Sequence, residues 1–419
     1  MNSKAGAGKA GEGADAGRAA GRNDEDEDNP GNPDVMGKKD ERDLFRLTAA
    51  QILVHSSMSG LRLAAPLLAL GLDMGTLAAG LAVAFFAIGQ GLAALPAGRL
   101  ADRRGMRMPV VLAILLGTTG AALAALWPVY WVLCGSAILS GSAVCLIMVA
   151  VQRHAGRVAK SAAALRRAYS WVSLSPAAAN FLGPFAGGIL IDLVGFRWTF
   201  AVMAGAAACA WLLVRKVPEA PREPVDAARP PAAWGLWRDP VLRRVLLLAG
   251  VVSGYWDVHA FMVPVVGHDR GLSASVIGSI LGAFSFAATT SRAVMPFIAA
   301  RLSEWVLLTF ALAATGVVFI AYPWMPNAWT MGACSVLLGA TLGSVQPMMV
   351  ALLHHATPPS QRGQALALRM LMINASSVST PLLMGSLGGL LGIGPIFFIL
   401  GAVAIACAPL ATKFRDTVA

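Results

Sequence analysis

The chain has 419 residues, 57% of them hydrophobic and only 13% charged, with a mean hydropathy of +0.65. Soluble domains carry nearer a quarter charged residues, so a soluble enzyme is excluded and a polytopic membrane protein is expected. The net charge of +11 is uneven: residues 1–43 hold eleven acids and seven bases, whereas residues 44–419 hold eleven acids and twenty-six bases. Those bases sit in short loops between apolar runs, where anionic lipid headgroups explain them better than nucleic acid does.

Met1 to Asp43 is rich in Gly, Ala, Asp and Asn and carries the acidic run Asp24 to Asp28. With almost no large apolar residues it cannot offset its ordering entropy, and a disordered cytoplasmic tail over 1–43 is expected. It has no short apolar core, so no cleavable signal peptide is expected either.

Twelve apolar segments follow: 46–71, 76–98, 108–127, 129–152, 166–191, 197–215, 241–266, 273–299, 303–323, 327–354, 364–390 and 393–412. Each has close to the ~20 residues that cross a bilayer as a helix. With the N-terminus inside, the inner loops carry twenty Lys and Arg and the outer loops only Arg197 and Arg270. Under the positive-inside rule this predicts both termini in the cytoplasm. Residues 217–240 are rich in proline and charge and poor in apolar side chains. They divide the chain into two six-helix halves, 44–216 and 241–412, with 413–419 as a short cytoplasmic tail. The halves echo one another weakly, Pro96 with Pro296 and Gly183-Pro184 with Thr380-Pro381. All five cysteines fall inside apolar runs and none has metal-ligand spacing, so they are expected in the core, with no disulfide framework and no metal.

Between segments 2 and 3 lies a very short loop, Gly98-Arg-Leu-Ala-Asp102-Arg103-Arg-Gly105-Met-Arg107. Gly, three residues, Asp-Arg, one residue, Gly, one residue, Arg resembles the signature loop of major facilitator superfamily transporters. The resemblance spans about residues 44–412 and implies an all-α fold of twelve transmembrane helices in two halves, with a substrate site between them. It also implies that Gly98, Asp102, Arg103, Gly105 and Arg107 form a gating element. Contacts of that loop lock the outward-open state and break on inward opening. Asp102 is placed to pair with Arg103 or Arg107, or to face a helix N-terminus.

Gly183-Pro184-Phe-Ala-Gly187-Gly188 in segment 5 resembles the Gly-Pro-x-x-Gly-Gly element of drug:proton antiporters. Its glycines permit close helix contact and its proline bends the helix. Such exporters usually carry an arginine in segment 4. Here Ala125 to Val151 contains no charged residue, so coupling by that route is not implied.

Ionisable groups inside a membrane are costly and mark function. Gln51, His55, Ser59 and Arg62 lie at i, i+4, i+8 and i+11, one helical face, which is expected to line the central cavity. Arg62 would hold an anionic substrate or a carboxylate of the other half. Asp257 is the one acid deep in a span, a candidate for the coupling proton unless Arg62 fixes it as an ion pair. His259, Gln346 and Asn374 are further candidates for the substrate or proton pathway, whereas Arg292 and Arg369 are expected to stabilise inner helix ends. Trp171, Tyr255, Trp256 and Phe261 fit either an apolar cavity or the core.

No phosphate-cradling loop is present, which excludes an ATP-driven pump. The sequence thus points to a secondary active transporter, not an enzyme, in the inner membrane, moving a small organic solute by proton-linked efflux. Uptake of an organic acid or sugar is the alternative, and a non-transporting receptor or assembly partner the alternative of another class. The expected partners are a small-molecule substrate, protons and membrane lipids, with no cofactor and a monomeric state.

Overall fold

A computed structural model describes residues 37–159, 161–219, 237–299, 304–355, 357 and 361–412. Among them the chain is all-α, with eleven helices: α1 Lys38–Gly71, α2 Gly75–Arg104, α3 Arg107–Leu126, α4 Tyr130–Val158, α5 Ala162–Val214, α6 Pro240–Asp269, α7 Ala274–Ala299, α8 Glu304–Ala321, α9 Ala328–His355, α10 Arg362–Leu391 and α11 Ile393–Thr412. Ten contain spans long and apolar enough to cross a membrane, and α11 carries a shorter apolar stretch.

Two sequence expectations change. The first helix begins at Lys38, so residues 38–43 belong to it rather than to a disordered tail. Asp40 and Glu41 fill its first turn, where the helix dipole favours carboxylates. Asp43 is buried and pairs with Arg46 at 3.2 Å. Segments 5 and 6 form one run, α5, broken only at Gly195 (φ 77°, ψ 172°). That left-handed conformation suits glycine, so the chain reverses there without any loop residues. The expected tail 413–419 and most of the expected linker, 220–236, lie outside the described residues.

Lipid is as apolar as leucine, so helices in a membrane associate through close packing of small residues. The halves use the same device twice, roughly 200 residues apart. In the first half the Gly141 backbone meets Phe86 and Gly89 meets Ile138, joining α4 to α2. In the second, Gly339 meets Phe284 and Gly343 meets Ala288, joining α9 to α7.

The crossings between halves repeat as well. Gly278 of α7 packs on the Pro184 carbonyl of α5, and Gly80 of α2 packs on the Pro381 carbonyl of α10. One turn away, Gly188 faces Ala274 and Gly385 faces Thr76. Thr76 also donates its hydroxyl to the Gly385 carbonyl at 2.9 Å. All these crossings lie toward the end away from Lys38, and that end is closed. The exposed tryptophans Trp127, Trp131, Trp198, Trp324 and Trp329 sit at helix ends on the same side, the position of an interfacial aromatic belt. Exposed leucines and phenylalanines such as Leu92, Leu95, Phe297 and Leu390 supply an apolar outer surface.

Asp192 latches this closed end. Its carboxylate accepts from the backbone N–H groups of Ala274 (3.0 Å) and Ser275 (2.7 Å), capping the first turn of α7 in the other half. Caps of this kind contribute about 1–2 kcal/mol. Asp192→Ala is therefore expected to raise opening of this end on the order of tenfold. The measurement is labelling of Ala260→Cys, in a background freed of native cysteines, by an impermeant reagent supplied from that side. Unchanged labelling would show that the cap does not hold the end shut.

Candidate functional site: a charged cleft between the halves

Pro184 and Pro381 each remove a backbone hydrogen bond to the residue four positions earlier, Asn180 and Ser377. Both residues sit where the halves diverge. There a narrow cleft is lined from the first half by Ser59, Arg62, Leu63, Asn180 and Pro184, and from the second by Trp256, His259, Ala260, Leu281, Phe284 and Ser285.

Beside this cleft, one ion pair joins the halves. Arg62 Nη2 donates to Asp257 Oδ1 at 2.7 Å, and Ser377 Oγ donates to Asp257 Oδ2 at 2.6 Å. The Asp257 side chain is 4% exposed and that of Arg62 25% exposed. Both carboxylate oxygens are thus satisfied while the arginine still reaches the cleft. Arg62 Nε has no hydrogen-bond partner among the described residues.

The other expected pathway residues separate. Ser59 lines the cleft and donates to Asn180 Oδ1 at 3.2 Å. Gln51 and His55, expected on the same cavity-facing stripe, are buried and do not line it. A helical face is not uniformly exposed. Gly183 and Gly187 bring α5 against Gly60 of α1, and Val54 is wedged near Gly117 of α3, so α1 is wrapped by its own half below Ser59. His259 does line the cleft: its ring stacks on Phe284 at 4.0 Å, and its Nε2 bonds Ser335 Oγ at 2.9 Å. Ser335 in turn meets the Tyr322 hydroxyl at 3.1 Å. Gln346 accepts from Arg369 instead of facing the cleft, and half-buried Asn374 does not line it. Of the aromatics, Trp256 lines the cleft, while Tyr255 and Phe261 are core residues and Trp171 packs on Phe45.

Arg292, expected to stabilise an inner helix end, is exposed and does not line the cleft; its guanidinium lies over the Trp256 ring, 5.3 Å from the centroid. The available signal was its place in α7, more than a turn before the helix ends. Asn180 was also missed, since a single amide four residues before a proline carries little signal.

The signature loop is tight. Gly105 ends α2 at φ 78°, and α3 starts two residues later. Arg103 and Arg107 are exposed and form no ion pair among the described residues; Gly98 has open space at its Cβ position. The Asp102 side chain lies outside the described residues. Glu219, just past α5, accepts from the Arg107 N–H at 3.4 Å and packs against Gly105. This acid tethers the loop to the end of its own half, and the sequence reading did not single it out. Among the described residues no cluster of His, Cys, Asp or Glu fits a metal ion.

Two helical halves around a charged cleft, closed at one end by paired glycine crossings, define the architecture of a multi-pass membrane transporter. The Major Facilitator Superfamily model matches residues 47–334 and 245–418, and the chain belongs to that family. It is 23% identical over 362 residues to the "Multi-drug resistance efflux pump PmrA homolog" of Lactococcus lactis subsp. lactis (strain IL1403), covering 83% of this chain and 88% of that protein. Among solved structures, a POT family transporter in complex with 5-aminolevulinic acid superposes with a TM-score of 0.75 at 14% identity, covering 90% of this chain and 96% of that one. A bacterial homolog of the human lysosomal transporter Spinster, inward-facing and occupied, gives 0.74 at 15% identity over 90% and 97%. At these identities the structural likeness speaks for the fold alone.

Removing one partner of a buried ion pair leaves the other uncompensated, at a cost of about 3–5 kcal/mol when burial is complete. Arg62 keeps some access to water, so Asp257→Ala is expected to cost about 3 kcal/mol, seen as a lower melting temperature in detergent. The exchange Arg62→Asp with Asp257→Arg is expected to recover part of the loss. No recovery would mean that position, not pairing, sets the stability.

Proposed function

We propose that the chain is a secondary active transporter that moves a small organic solute by alternating access, coupled to protons, with efflux as its working direction. The observation that carries this reading is the Arg62–Asp257 pair, which bridges two separate halves beside a cleft closed at one end. A scaffold or receptor gains nothing from such a costly pair at the midplane. A carrier uses it as a switch.

Asp257 cannot serve Arg62 and a proton at full strength together. A proton that reaches Asp257 releases Arg62, breaking the ion pair between the halves. Re-forming the pair expels the proton. Cytoplasmic placement of both termini is supported by the distribution of Lys and Arg, and the inner membrane is the placement that goes with this reading. The closed, tryptophan-belted end is then the outer one, and the chain stands in an inward-facing state. In that state the signature loop rests on Glu219 of its own half, in keeping with a gating element that engages the other half only when the outer side opens.

Efflux is supported by the Gly183-Pro184…Gly187-Gly188 element and by the likeness to the Lactococcus lactis relative, which is named as a multidrug resistance efflux pump. Uptake by proton symport is the second reading, favoured by the Arg62 guanidinium, which an acidic solute would take from Asp257. A monomer suffices, because both sides of the cleft come from one chain.

The test uses protein reconstituted in liposomes with an imposed pH difference. Asp257→Asn is expected to abolish uphill, pH-driven movement while solute counterflow persists. If uphill transport survives in that variant, the coupling proton binds elsewhere. A deletion strain that accumulates more of the solute supports efflux, and one that accumulates less supports uptake.

A further inference from the structure

Two arginines near the inner end of the first half find a counter-charge: Arg46 pairs with Asp43 and Arg167 with Glu41, each at 3.2 Å. The inner end of α2 does not follow them. Residues 98–107 hold four arginines against one aspartate. Arg99, Arg103, Arg104 and Arg107 are all exposed, and none forms an ion pair among the described residues. Arg104 Nη1 donates only to the Met108 thioether, at 3.2 Å, a weak acceptor for a charged donor. Glu219 accepts from the Arg107 backbone N–H and not from a guanidinium.

The surplus cations are gathered in one place. Arg99, Arg103 and Arg104 line a surface hollow with Pro96, Leu100 and Met108. The lipid-facing side of α2 runs into this hollow. Leu92, Leu95, Arg99 and Arg103 lie at i, i+3, i+7 and i+11, one helical face. Leu92 and Leu95 are 65% and 71% exposed, whereas Ala93, Ala97 and Ala101 on the opposite face are buried. The outer face of α2 thus passes from apolar to basic within about two turns. A phospholipid presents its acyl chain and its phosphate in that order. Neither the turn nor the orientation signal demands so many arginines here. The corresponding stretch of the second half, 300–304, carries one arginine and one glutamate, Arg301 and Glu304.

We propose that the inner end of α2 binds an anionic phospholipid, with Arg99, Arg103 and Arg104 on its phosphate and an acyl chain along Leu95 and Leu92. A guanidinium offers paired N–H donors that match phosphate oxygens, and the adjoining leucines favour a lipid over a free phosphate. The assignment rests on this surface alone and not on the transporter reading. Where that reading holds, the headgroup competes for Arg103 of the signature loop with any acid of the other half, and so favours the state described here.

The test titrates detergent-purified full-length protein with dioleoylphosphatidylglycerol, dioleoylphosphatidylcholine and inorganic phosphate, following native mass spectrometry and melting temperature. Phosphatidylglycerol is expected to bind about tenfold more tightly than either of the others. Replacing Arg99, Arg103 and Arg104 together by Gln is expected to abolish that preference. The same replacement at the exposed Arg238, Arg243 and Arg244 removes equal charge elsewhere at the inner end and is expected to leave it intact. If the first triple variant does not fold, Arg99→Gln carries the test: a severalfold loss is expected, with Arg99→Lys keeping most of the preference, and no loss overturns the site. Equal binding of the two lipids, inorganic phosphate binding as tightly as phosphatidylglycerol, or an equal effect of the two triple replacements likewise overturns it.

Discussion

A charge in hydrocarbon must find a counter-charge or water, and in this molecule that requirement joins the two halves at one point. Arg62 comes from α1 and Asp257 from α6, on opposite sides of the chain's midpoint. Neither half can satisfy its own ion alone. The pair therefore links the halves beside the cleft. Ser377 completes the carboxylate's shell, so the contact is saturated on the acidic side and open on the basic side.

Toward the closed end a different interaction takes over. Backbone meets backbone at Gly278 on Pro184 and at Gly80 on Pro381, and each proline stands beside a glycine one turn on, Gly188 and Gly385. Such contacts depend on the absence of side chains and on many small dispersion terms, so they can separate without leaving polar groups stranded. The polar exceptions are few: Asp192 on the α7 N-terminus and Thr76 on the Gly385 carbonyl. A closed end built in this way suits a molecule that must open there. The near-identity of the two crossings follows from the duplicated halves, because a pseudo-two-fold axis brings equivalent helices to equivalent partners.

The second half brings the aromatic side chains Trp256 and Phe284 to the cleft. Trp256 lines the cleft, and its ring is the π-face over which the exposed Arg292 lies. Stacking costs the guanidinium little and leaves its N–H donors free in the ring plane. His259 is held differently, through Ser335 to a tyrosine set in an aromatic core of Phe319, Phe397 and Tyr255.

By itself, the sequence determined the membrane-embedded all-helical class and the family through the loop around Gly98 to Arg107, and it singled out Arg62 and Asp257, because hydropathy and isolated charge are written residue by residue. It overextended the stripe from Arg62 back to Gln51 and His55, since helical periodicity gives a direction and not a neighbour; α3 and α5 cover that part of α1. It read the Lys38 to Asp43 stretch as tail and the run through Gly195 as two helices, because charge at a helix start and a one-residue reversal leave weak traces in hydropathy. Only the tertiary structure decided that Arg62 meets Asp257, that Arg292 lies on Trp256, that Asp192 caps the opposite half and that Glu219 holds the signature loop. Most of these contacts join residues roughly 80 to 200 positions apart, and such pairings come from the packing of helices distant in the chain, within a half or across the two, which no local pattern encodes.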